Sequence, residues 1–138
     1  MKGISVRELS RLTMTRDGRT IVPPNGVSEI ENGLRRVDVD DLIALSKALG
    51  TSPAVLLMPT PELPDDQGRG VVYLDADDEP LDTEQVWSWL TAAKPLVTDA
   101  MMEELDKHDD AALMLQERWL WWQRTLPRFA RKKDNPDG

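Results

Sequence analysis

The stretch PNGVSEIENG, Pro24 to Gly33, can only be a short helix held by its neighbours. Pro24 suits a first helical position, where its missing N–H costs nothing, and Gly33 suits a left-handed stop. Between these ends only Val27 and Ile30, three residues apart, point toward a core, so the helix is mostly polar. A helix of so few turns does not stand alone in water. It belongs to a small multi-helix unit, and its polar face is free to touch something else.

The flanking sequence supplies that unit. Ser5-Val6-Arg7-Glu8 reads as a capping box, followed by Val6, Leu9 and Leu12 on one helical face. Asp17-Gly18 marks a turn, so residues 13–22 are expected to form a loop or small hairpin. Asp38 is the expected N-cap of a helix with Leu42, Leu45 and Leu49 in its stripe and Gly50 at its end. Ser52-Pro53 opens a last short, apolar helix, PAVLLM, expected to act as a plug. Pro59, Pro61 and Pro64 then end it, and residues 60–70 read as a linker.

Beyond the linker, residues 71–74 (VVYL) are a strand candidate, and Asp82 to Gln85 resembles another capping box before a helix carrying Val86, Trp89 and Leu90. Thr98 or Asp99 is expected to cap a long last helix running to about Pro127. In it Leu105, Ala112, Trp119 and Leu126 recur every seven residues, with Met101, His108, Leu115 and Trp122 between them. This pattern predicts an oligomer or core seam of Leu105, Ala112, Leu115, Trp119, Trp122 and Leu126. Leu113, Leu120 and Trp121 broaden the apolar face, which predicts burial by more than one neighbour.

The whole is expected to be mostly α. Residues 1–59 form one helical domain, incomplete at its N-terminus, and 71–133 an acidic and helical region for oligomerisation or core completion, with 134–138 as tail. A chain of 138 residues has room for this and little more. It has no cysteine, and no apolar run reaches the length of a membrane span, which together favour a cytoplasmic protein. The net charge of −8 argues at first against nucleic acid, but its distribution reverses that. Residues 1–60 hold eight Lys/Arg against seven Asp/Glu, residues 61–110 three against fifteen, and residues 111–138 six against three. The first sixty residues are electrostatically compatible with DNA.

The order of short helices in that region is that of a helix-turn-helix domain. The segments VRELSRL, VSEIENG and VDVDDLIALSKALGTSPAVLL resemble the Cro/repressor (XRE-type, lambda-repressor-like) helix-turn-helix family over residues 4–58. The resemblance implies that the Val-Ser-x-Ile-Glu helix enters the DNA major groove. Val27 and Ile30 would hold it, and Asn25, Ser28 and Glu29 would meet base edges: Asn reads adenine, Ser several bases, and Glu cytosine. Arg35 and Arg36, just past the helix, are placed for phosphates, and Arg7 and Arg11 join them from the preceding helix. Each has a plainer alternative: solvated arginines, turn chemistry at Asn25, and a solvent-facing Glu29 that repels wrong sequences.

Three features depart from the family pattern. The connection from Leu12 to Val27 is long, and could form a wing that offers Arg16 and Arg19 to the backbone. The family's first helix has no counterpart here, which points to a misassigned start, a truncated relative, or a gap filled by the Trp-rich last helix or a second subunit. The domain is also not clearly basic, so binding would lean on dimerisation or a partner. Residues 71–97 resemble the strand-plus-Trp-helix segment of some actinobacterial and phage regulators, which names no activity.

Other signals recede. Asp75, Asp77, Asp78 and Glu79 lack the central Gly and final Glu of a calcium loop, and read as a solvated acidic loop. A single histidine, His108, rules out a His-based metal site or triad, and the expectation is no enzyme, no metal and no cofactor. The Trp cluster is core or interface by default, and the basic RFARKKD tail reads as a frayed solvated end or as a nonspecific phosphate contact. The resemblance therefore implies a double-stranded DNA-binding transcriptional regulator, a repressor of phage or mobile-element type acting as a homodimer or with a protein partner. The alternative is a protein-interaction module, antirepressor- or antitoxin-like, on a degenerate helix-turn-helix.

Overall fold

The computed structural model describes residues 3–74 and 79–131. The chain divides into two units, Met1–Leu57 and Met58–Gly138, and among the described residues each has its own apolar core. Seven α-helices and one two-stranded sheet make up the described structure, which is mostly helical as expected. The aspartates 75, 77 and 78 of the acidic loop, and Lys132 and Lys133 of the basic tail, lie outside the described residues.

In the first unit, α1 (Val6–Leu12) starts where the Ser5 hydroxyl accepts the Glu8 N–H. A hairpin-like loop follows, closed by a bridge between Met14 and Thr20 and turning at Gly18, whose φ is 81°. Helix α2 (Pro24–Glu31) begins at Pro24 and ends in paired bonds, Gly33 N–H to Ile30 O and Leu34 N–H to Glu29 O. That is the Schellman arrangement, which satisfies the last carbonyls of the helix. Helix α3 (Val39–Leu49) has a full capping box between Asp38 and Asp41 and stops at Gly50, φ 65°. Val22, Val27 and Leu45 form the buried core, with Val6, Leu9, Ile21 and Ile30 packed on it.

Helix α4 (Pro53–Leu57) departs from expectation. None of its residues is buried, so it does not plug the core. Leu56 and Leu57 instead line an apolar hollow of about 640 Å³, together with Ile4, Leu9, Leu42 and Leu49. One side of the first core is thus open.

In the second unit, β1 (Val71–Val72) pairs antiparallel with β2 (Leu81–Asp82), Val71 opposite Asp82 and Val72 opposite Leu81. The strand is shorter than the four residues expected. Helix α5 (Thr83–Leu90) is capped by Asp82, which accepts the Glu84 N–H, while the Gln85 side chain donates to Val97 O and so leaves the expected capping box unclosed. Val72, Leu81 and Val86 are buried together. Residues 60–70, expected as a linker, are bonded into this unit: Glu62 N–H donates to Val71 O at 2.8 Å and Gly70 N–H to Thr83 Oγ1 at 2.8 Å. Their prolines prevent a helix without freeing the chain.

The expected single last helix is two, α6 (Asp99–Leu105), capped by Thr98, and α7 (Ala111–Thr125). Asp106, Asp109 and Asp110 fall between them with His108. Aspartates oppose the negative end of a preceding helix and favour the positive start of a following one, so the chain breaks there. The seven-residue repeat therefore does not run along one helix. Leu126 is buried and Leu105, Leu115 and Trp122 are half-buried, whereas Ala112 and Trp119 are exposed. The broadening residues Leu113, Leu120 and Trp121 are also exposed, contrary to the burial expected of them.

Candidate nucleic-acid interface

Two side chains in α1 and its exit fix where α2 begins. The Ser10 hydroxyl donates to Val22 O at 2.8 Å, and Thr13 Oγ1 accepts the Val22 N–H at 3.1 Å. Thr13 donates in turn to Ser10 O at 2.7 Å. Both residues are buried, so each polar atom is satisfied without water. Val22 and Val27 then anchor the two sides of the Pro23-Pro24 start, and α2 is held at both ends.

The face of α2 away from this core carries Asn25, Ser28 and Glu29. They stand at i, i+3 and i+4, which one helical face brings together. Asn25 and Glu29 are exposed and Ser28 is half-buried. Asn32 extends the same face and locks it, its side-chain amide donating to Ser28 O at 2.7 Å. The three residues expected at base edges are thus side by side, projecting from a helix whose backbone is fixed.

The arginines divide. Arg7 and Arg11 lie one turn apart on α1, Arg16 and Arg19 flank the hairpin turn, and Arg36 follows α2; all five are exposed. Arg35 is different. Its Nη2 donates to both carboxylate oxygens of Asp41, at 3.0 and 2.8 Å, and Asp41 is buried. Asp41 also accepts the Asp38 N–H at 3.3 Å. The guanidinium expected at phosphate is therefore engaged inside the domain, tying the start of α3 to the end of α2. It also lies over α2 itself: a Cβ on Gly26 would come within 2.7 Å of Arg35 Nη1. The glycine leaves room for the ion pair.

Lys47, which the sequence reading passed over, joins Arg16 and Arg19 around a concave patch that also includes Asp40 and Ile43. The signal was available. Asp40 and Lys47 are seven residues apart on the side of α3 opposite the buried Leu45. Among the described residues no group of three His, Cys, Asp or Glu side chains is placed to hold a metal ion, and no helix is long and apolar enough to cross a membrane.

A family model described as helix-turn-helix matches residues 1–56. Residues 1–56 are a helix-turn-helix domain, and the match is consistent with the XRE, Cro/repressor type. The match ends one residue before the boundary of the first unit, so sequence family and compact unit coincide. The helix-turn-helix domain is a DNA-binding regulator domain, and α1 to α3 fall within the matched residues. No curated protein and no solved structure matches the chain.

Proposed function

We propose that the protein is a repressor, of the type carried by phages and mobile elements, that binds one double-stranded DNA sequence as a dimer and blocks a promoter sterically. The observation that carries this reading is the fixed outer face of α2, where Asn25, Ser28 and Glu29 project together from a helix-turn-helix domain. Asn25 would accept from and donate to adenine, Ser28 would bond a neighbouring base, and Glu29 would accept from cytosine or repel other bases. Arg7, Arg11, Arg16, Arg19 and Arg36 would set register on phosphates. A recognition helix of eight residues reaches only a few base pairs, so two copies on half-sites about one helical turn apart supply the affinity.

The test uses a duplex bound by the full chain, with Asn25→Ala and Arg36→Ala measured across salt. Asn25→Ala is expected to relax discrimination at one base pair, at a cost of about 1–3 kcal/mol. Arg36→Ala is expected to weaken all sequences alike and reduce the salt slope by about one. A protein-interaction module predicts neither effect.

A further inference from the structure

We propose that the hollow framed by α5, α6 and α7 is a binding site for a small aromatic carboxylate. The hollow has a volume of about 470 Å³ and is lined by Trp89, Leu96, Met101, Arg118, Trp121 and Trp122. That volume lies within the range of small-molecule sites, and the open hollow combines apolar surface with one charged group.

The aromatic part is built rather than incidental. Trp119 packs on Trp122, ring centroids 5.2 Å apart and tilted by 40°, so the Trp122 indole is supported by a second ring. Trp89 and Trp121 remain open to solvent at 39% and 68%. Indoles with surface left in water offer a partner for a flat ring by offset stacking. Leu96 and Met101 supply the adaptable apolar contact around it.

Arg118 fixes the sign of the ligand. It has no hydrogen-bond or ion-pair partner among the described residues, and no Asp or Glu side chain lines the hollow. In a chain with 25 acidic residues and a net charge of −8, a guanidinium beside three indoles with no acidic partner among the described residues is complementary to an anion. A carboxylate matches the guanidinium in shape and in its single charge. A second acidic group would find no second cation among the lining residues. The ligand class is therefore a flat apolar body with one carboxylate.

The experiment is calorimetric titration of the full chain with 2-naphthoate and, in parallel, with neutral 2-naphthylmethanol. Saturable binding of one 2-naphthoate per chain is expected, weakened about tenfold or more for the alcohol, the equivalent of one charge-assisted bond. Arg118→Gln is expected to remove the same preference. Arg118 is exposed, so this change leaves the fold intact, as circular dichroism would verify. Trp122→Leu is expected to weaken both probes together. No saturation in the millimolar range, or binding that Arg118→Gln leaves unchanged, would overturn the proposal. So would a dimer that Trp121→Ser dissociates and that takes up no probe, because the hollow would then belong to a second copy.

Discussion

Arg35 and Arg36 are neighbours in sequence in different settings. Arg35 neutralises the buried Asp41, so Arg35→Ala leaves a carboxylate inside the domain with only the Asp38 N–H to stabilise it. The expected cost is about 2 kcal/mol of stability, read from urea unfolding. Arg36 is exposed, and Arg36→Ala is expected to leave the unfolding midpoint unchanged. Equal midpoints for the two variants would contradict the assignment.

Asp17 offers a test of the hairpin. The Thr15 hydroxyl donates to its carboxylate and the Asp17 N–H adds to this, which together hold its pKa below the ordinary value. A depressed folded-state pKa contributes stability that is present above the ordinary carboxylate range and is lost as pH falls through the folded value. Thr15→Val removes the hydroxyl donor. The Asp17 titration followed by NMR should then move up toward its ordinary value, and an unmoved titration would mean that the turn does not form as described.

At the scale of elements, α2 couples to its surroundings through Gly26. Alanine favours a helix interior over glycine by about 1 kcal/mol, yet a Cβ here would meet Arg35 Nη1 at 2.7 Å. Gly26→Ala is expected to be destabilising in the natural chain and less so, or stabilising, in an Arg35→Ala background. A thermal-melt double-mutant cycle reads the difference, and additive effects would sink the idea.

The same scale shows what could be read from sequence. The caps Ser5, Asp38 and Thr98 and the stops Gly33 and Gly50 are local chemistry, written within three or four residues, and they lie where the sequence places them. Asn25, Ser28 and Glu29 share a face because helical spacing dictates it. Arg35 could not be assigned that way, since its partner Asp41 is six residues on and across a turn. The PAVLL helix looked like a plug because apolar composition says what a residue prefers, not whether a neighbour arrives to cover it. The last helix broke because the regular apolar repeat hid an unfavourable run, Asp106 to Asp110, which the period alone does not weigh.

For the whole molecule, the helix-turn-helix domain and the Trp-rich unit have separate cores and different charge, the first near neutral and the second acidic. Fifteen of the 25 acidic residues lie in residues 61–110, against three bases there, while residues 1–60 are close to neutral. DNA recognition is therefore expected to rest on a few well-placed cations around α2 rather than on a broad basic surface. The open hollow beside α4 and the aromatic hollow around Trp122 sit in different units, so they can be perturbed one at a time.

The most direct test is selection of bound duplexes from a random DNA pool by the full chain, with affinity for the recovered sequence measured at about 50 and about 200 mM salt. The account predicts one enriched motif with two related half-sites and affinity that falls by orders of magnitude across that range. An unenriched pool would contradict it, and would leave the outer face of α2 without a DNA-reading role.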